Sequence, residues 1–159
     1  MKESGFRLNW TTVPYQEKPK TFGATNHTNG MENMRAIKKH SNWREKFPVF
    51  AWCADLGPEW YIPAIEELLM FTENEIINDK VDAELIRHGG DSLKQDGSFS
   101  RAYYSSTEVF SPLYPEYPHL SDEGSLWILE YNPFRGGSTK SLASAEETMG
   151  ANVRPIATF

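Results

Sequence analysis

Glu66 and Glu67, adjacent in the stretch "WYIPAIEELLMF" (residues 60–71), are the first side chains in this sequence that invite a chemical reading. Two carboxylates facing one bond are the apparatus of acid and base hydrolysis. Consecutive residues of a helix point about 100° apart, however, so in a helix these two cannot face a common bond. The expected division is one glutamate turned inward to accept hydrogen bonds and the other in solvent.

Other candidate groups meet similar limits. Ser105, Ser106 and Thr107 carry hydroxyls, but no Gly-x-Ser-x-Gly elbow surrounds them and no histidine lies close by in sequence, so they are expected to bond within the fold. The histidines His27, His40, His88 and His119 form no i, i+4 pair and have no acidic relay, and no metal site is expected from them. The single cysteine, Cys53, excludes an internal disulfide and a multi-thiolate metal site; beside apolar residues and away from cations it is expected to be an inert core thiol. Arg154 stands among apolar residues just before Pro155, where a buried guanidinium needs a carboxylate, and Glu67 or Glu108 is the expected partner.

The chain must hold such groups within 159 residues, the length of one domain with a real core. Aromatic residues make up 13% of it, so the core is expected to be built on rings. A net charge of −6 provides no basic field for nucleic acid or anionic lipid, and neither is expected as a partner. No apolar run approaches the roughly 18 residues of a membrane span, so no direct membrane insertion is expected. The opening "MKESGFRLNW" has no apolar segment of the kind a signal peptide carries, and the chain is expected to be soluble as given.

Along the chain, "FRLNWTTV" alternates like an edge strand and leads into a long polar loop, so residues 1–28 are expected to be strand plus loop. Residues 29–90 are expected to be helical. "MENMRAIKKH" sets Met31, Met34 and Ile37 on one face; "KFPVFAWCADLG" has Pro48 at its first position and Gly57 after its last, with Val49, Cys53 and Leu56 facing inward. Pro63 opens a helix running to about Asn74 or Asn78, with Ile65, Leu68, Leu69, Thr72 and Ile76 repeating at three and four. A second amphipathic piece, "DKVDAELIRHGGD", turns Val81, Leu85 and Ile86 to one side and ends at Gly89-Gly90. Residues 91–159 read as short strands separated by loops, among them the proline-rich "SPLYPEYPHLSDEG". The order indicates an α+β domain with an antiparallel sheet, flanking helices, and "FRLNW" paired with "VRPIATF".

"WYIPAIEELLMF", "YYSSTE", "LWILEYNPFRGGS" and "NVRPIATF", in that order, resemble the motifs of C-type-lectin-like domains of bacterial and phage proteins. That branch includes formylglycine-generating-enzyme-like proteins and the variable proteins diversified by retroelements. The resemblance spans roughly residues 29–159 and rests on four short motifs together. It implies paired first and last strands, helices beside the sheet, and a ligand-facing surface made by loops of the C-terminal half. It also implies that Glu67 is the inward glutamate and that Trp60 and Pro63 belong to the scaffold, which Glu108 and Arg154 join through the ion pair expected of them.

The departures decide what else is carried over. The Glu-Pro-Asn, Gln-Pro-Asp and Trp-Asn-Asp motifs of calcium-dependent sugar lectins are missing, so no calcium site is assigned. One cysteine cannot supply the redox pair of a formylglycine-generating enzyme. The remaining binding candidates are Tyr114, Tyr117 and His119 on the proline-stiffened loop, and Tyr131, Asn132, Phe134 and Arg135 before a Gly-Gly pair. Stiff loops carrying tyrosine and arginine bind partners at low entropic cost. The expected function is non-enzymatic recognition of a protein or glycan, without cofactor, on a bacterial surface or phage particle. The alternatives are an assembly domain of a homo-oligomeric fibre or surface protein, and a formylglycine-generating-like enzyme.

Overall fold

A computed structural model describes residues 8–72, 75–92, 101–109, 125–132, 137–144 and 151–158. The chain is mixed α+β with small antiparallel sheets. Its described elements are α1 (Gly30–Ile37), α2 (Trp43–Lys46), α3 (Pro48–Ala54), β1 (Trp60–Tyr61), α4 (Ile65–Thr72), α5 (Glu75–Arg87), β2 (Arg101–Glu108), β3 (Ser125–Asn132), β4 (Gly137–Ser144) and β5 (Ile156–Ala157). Strands β2, β3 and β4 form one antiparallel sheet in that order, and β1 pairs antiparallel with β5.

The sheet is packed on both faces. Along β3, Leu126 and Ile128 join Tyr104 of β2 in a core of rings and aliphatics with Trp10, Phe22, Met34, Ile37, Phe47, Phe50 and Val153. The rings meet edge to face, Trp10 against Phe50 at 5.1 Å and Phe22 against Phe47 at 4.9 Å, the geometry favoured by the aromatic quadrupole. Leu129 and Tyr103, one step along on the opposite face, pack with Ile65 and Leu68 of α4, with Leu69, Val81, Leu85 and Trp127 at the margin. This period-two division is why two small cores, not one, hold the sheet.

Helix starts are tied with unusual economy. Asn29 caps α1 by accepting from the Glu32 N–H, while the next donor, the Gly30 N–H, goes to Glu67 Oε2 at 2.9 Å. Glu67 is the third residue of α4 and reaches back to the Ala64 N–H at 2.7 Å, half of a capping box; Tyr61 Oη donates to its other oxygen. Burial and the Glu67 carboxylate push the Tyr61 phenol up to about 12. The other free amides of α4 find partners across the fold, Ile65 N–H on Thr107 Oγ1 and Glu66 N–H on the His27 carbonyl. Glu67 therefore turns inward as expected, onto backbone.

Strand β2 slips register against β3 between Tyr104 and Glu108, and the released stretch Ser105–Thr107 is fully buried. Its groups reach five segments. Trp10 Nε1 donates to the Ser105 carbonyl, Asn33 Nδ2 to Ser106 Oγ, Ser106 N–H to the Pro63 carbonyl, Thr107 Oγ1 to the Asn26 carbonyl, and Ser105 Oγ to the Trp127 carbonyl. Glu108 then collects the N–H groups of Phe22 and Ala24 and the Thr21 hydroxyl at 2.9–3.0 Å. Burial raises its pKa against the lowering pull of these donors.

Several expectations are corrected. Leu8–Val13 is irregular, and the strand that pairs with Ile156–Ala157 is Trp60–Tyr61; the start of "FRLNW" lies outside the described residues. Helix α4 begins at Ile65, not Pro63, because Ala64 takes the capping position and the Pro63 carbonyl is spent on Ser106. Ile76 belongs to α5, so it is out of phase with α4 and 66% exposed. Leu56 follows the end of α3, where the chain turns at Gly57 with φ +143°, and is 43% exposed. Ile86, one step round the helix from Leu85, is 57% exposed. The short helix α2 was not anticipated. Helix α5 ends as expected, with Gly89 at φ +73° and the Gly90 N–H on the Leu85 carbonyl.

Arg154 is buried, but its partner is neither Glu67 nor Glu108, whose oxygens serve backbone N–H groups and the hydroxyls of Tyr61 and Thr21. It donates to the carbonyls of Asp91 at 3.0 Å and Ser92 at 3.4 Å and lies over the Tyr103 ring at 5.9 Å. Trp60 packs half-buried against the larger core and pairs with Ala157.

Two stability predictions follow from these ties. A Cβ on Gly30 would meet the Ile62 carbonyl oxygen and lie 2.7 Å from the Ala64 nitrogen, so Gly30→Ala is expected to cost about 3 kcal/mol in urea unfolding. A value within 0.5 kcal/mol of wild type, about the size of a neutral surface change, would refute the close approach. Because the folded pKa of Glu108 lies above its unfolded value, the native state holds this proton more tightly. The stability advantage of wild type over Glu108→Gln should therefore be greatest at acid pH and shrink as pH rises from the ordinary glutamate pKa through the raised one. Unfolding series from pH 4 to 7 measure it.

Candidate functional site

The expected chemistry residues are largely absorbed by the scaffold. Ser105, Ser106 and Thr107 are buried and bonded as described, and Glu67 is committed to two helix starts. Cys53 is buried on α3, and burial pushes its thiol up to about 12, far from a thiolate at neutral pH. His40 Nε2 lies 2.7 Å from the Phe22 carbonyl oxygen, between the Phe22 and Phe47 rings. His88 is exposed, 3.7 Å from Glu84. Among the described residues, no three His, Cys, Asp or Glu side chains gather as a metal-binding set.

Of the expected binding residues, Tyr114, Tyr117, His119, Phe134 and Arg135 lie outside the described residues. Tyr131 and Asn132 are the last two residues of β3, opposite Ser138 and Gly137 of β4.

A different constellation forms where α4 passes the sheet. Thr28, Glu66, Glu67, Leu69, Met70 and Lys140 line an open groove of about 390 Å³. Three segments line it: the loop before α1 brings Thr28, α4 presents Glu66 and Met70, one turn apart on its outer side, and β4 contributes Lys140. Trp127 of β3 and His27 stand beside the lining, in contact with each other and, through Trp127, with Lys140. Lys140 pairs with Leu129, one alternate position from Trp127 on the same face, and its Nζ lies 5.9 Å from the indole centroid. Such a cation–π contact contributes about 0.5–1 kcal/mol at an exposed site and holds the ammonium over the ring. The His27 ring abuts the same indole at 6.3 Å.

The electrostatics are balanced. Burial lowers the pKa of His27, Glu66 pushes it up and Lys140 pushes it down, so the imidazole is neutral at pH 7. Glu66 is exposed, Lys140 is exposed, and Met70 is 66% exposed. A second hollow of about 370 Å³, lined by Pro14, Pro19, Phe22, His40 and Lys46 among others, has as its histidine one already held by the Phe22 carbonyl. The groove at Lys140 is therefore the better candidate. It offers an acceptor, a cation, a hydroxyl and a flexible apolar wall, a set suited to binding.

None of His27, Thr28, Met70 or Lys140 was marked by the sequence as a binding residue. One signal was available: Glu66 and Met70 stand four apart on α4, opposite the buried Ile65 and Leu68. The contributions of Lys140 and Trp127 depend on strand register, which the sequence does not display.

Comparison of the chain with protein-family models, with curated proteins and with solved structures finds no match in any of the three.

The groove predicts its own titration. His27 should titrate below the usual histidine value in an NMR pH series; Lys140→Met should bring its pKa up, and Glu66→Gln should take it further down. As its folded pKa is depressed, the stability it contributes is present above the unfolded pKa and is lost as pH falls through the folded one. An unchanged His27 pKa in both variants would disprove the cluster.

Proposed function

We propose that this chain is a recognition module of C-type-lectin-like type that binds a protein or glycan ligand without turning it over. The observation that carries the reading is the groove between α4 and β4. Exposed Glu66 and Met70 of α4 and Lys140 of β4 converge there, while hydroxyl and carboxylate groups that could serve chemistry are spent on scaffold bonds.

The fold assignment is supported by the order of the four motifs and by the roles of the residues in them. Trp60 and Tyr61 pair with Ile156 and Ala157, so the first motif meets the last; Ser105–Glu108 forms the buried hub; Glu67 ties helix to helix. Tyr114, Tyr117, His119, Tyr131, Asn132, Phe134 and Arg135 belong to the same proposed ligand-facing half. A bacterial surface or phage particle is the setting the resemblance implies. Among the described residues, no helix is long and apolar enough to cross a membrane.

A second reading, an assembly domain within an oligomer, is favoured by the exposed Ile76, Ile77 and Ile86 of α5, apolar side chains that a sister subunit would cover. One experiment separates the two. The full chain is immobilised and screened against a glycan array and a panel of surface proteins, with light scattering over a dilution series run in parallel. Recognition predicts at least one saturable ligand whose affinity falls roughly tenfold in Lys140→Glu or Tyr117→Ala, with unchanged thermal unfolding. Saturable binding that survives both substitutions would overturn the proposed surface. Failure to bind, with mass rising with concentration, would move the assignment to assembly.

A further inference from the structure

Strand β4 is the outer strand of its sheet: β3 pairs with it along its whole length, and among the described residues no strand pairs with its other edge. An eight-residue edge presents backbone donors and acceptors to any extended chain that approaches it. Its sequence, "GSTKSLAS", has no proline and a single charge, Lys140. That charge is the one that enters the groove. Backbone pairing potential and side-chain selectivity thus lie beside each other on one strand.

We infer that the ligand of this site is an extended polypeptide segment that adds to the sheet along β4, setting an acidic side chain against Lys140 and an apolar one between Leu69 and Met70. The inference rests on the recognition reading and names the ligand class for it. Side chains of a strand two residues apart face the same way, so the segment carries an acidic-x-apolar pattern. Charge complementarity sets the first position, because Lys140 is held over Trp127 and ready for a carboxylate. The second follows from Met70, an exposed, unbranched and adaptable side chain of the kind that lines peptide-binding surfaces. Glu66, on the α4 wall, rejects acidic residues at the apolar position.

A glycan fits the same walls less well. A pyranose ring stacks on an open aromatic face, whereas the Trp127 indole carries the Lys140 ammonium and abuts the His27 ring. Leu69 and Met70 offer no hydrogen bonds to hydroxyls, and a sugar has no backbone to satisfy a strand edge.

The test pans a displayed library of random decapeptides on the intact chain and on Lys140→Glu, with hydrogen exchange on the complexes. The expected result is enrichment of Asp or Glu two positions from Leu, Ile, Val, Met or Phe on wild type. On Lys140→Glu the charged position should switch to Lys or Arg, and wild-type peptides should bind it roughly tenfold or more weakly. The β4 amides should gain protection when peptide is bound. A substitution that merely unfolded the site would lose peptides without selecting the opposite charge, so the switch distinguishes recognition from structural damage. Peptides with no acidic preference, unchanged β4 exchange, or no peptide selected at all would each overturn the inference. Glycan or protein binding that persists in Lys140→Glu would overturn it too, while leaving recognition itself intact.

Discussion

Two helices begin at one carboxylate. Glu67 accepts from the Gly30 N–H at the start of α1 and from the Ala64 N–H at the start of α4, and the positive ends of both helices favour the charge it carries. For the carboxylate to reach both, the backbone of α1 has to lie against Ile62–Ala64 closer than any side chain would allow, and Gly30 makes that approach feasible. The rest of the molecule is arranged around this contact. It sets the distance between α1 and α4, and these helices cover opposite faces of the sheet: Met34 and Ile37 of α1 lie in one core, Ile65 and Leu68 of α4 in the other.

The bulged end of β2 completes the same junction from the other side. An unbroken strand would spend the backbone of Ser105–Thr107 on its neighbours in the sheet; at the register slip the Ser105 carbonyl serves Trp10 and the Ser106 N–H serves Pro63, while the Ser106 and Thr107 hydroxyls take Asn33, Asn26 and Ile65. Short hydroxyl side chains suit this place, since each can both donate and accept in a space too small for an amide. Burying such groups is tolerable only when all are bonded, which makes the cluster a specifier of one arrangement more than a source of net stability. The groove inherits its shape from this junction, because His27 follows Asn26 and Glu66 follows Ile65, both held by Thr107.

Much of the scaffold was legible from local pattern. Helix periodicity located Met34, Ile37, Val49 and Cys53 in the core, and the Gly-Gly pair located the end of α5. The inward role of Glu67 came from the motif resemblance and the helical angle that separates it from Glu66. What escaped were relations between distant segments. The partner of Arg154 was sought in Glu67 or Glu108, yet it donates to the carbonyl groups of Asp91 and Ser92, since backbone oxygens are acceptors that a search among carboxylates passes over. The N-terminal strand failed because alternation alone does not supply a partner, and Trp60–Tyr61 pairs with β5. Lys140 was invisible as a site residue because its meaning lies in the diagonal from β4 to Trp127, a product of pairing register.

The pairing of β1 with β5, and the bridge from Tyr103 to Asn152, have a consequence for how the molecule comes into being. Trp60 and Tyr61 emerge from the ribosome long before their partners Ala157 and Ile156, and β2 must likewise wait for Asn152. Until those late residues appear, β1 has no strand to pair with and the larger core lacks Val153. Closing contacts between such distant segments demands much ordering before any reward, which slows folding. The aromatic core therefore closes only once residues 152–157 have been made, the last of the described segments to be synthesised.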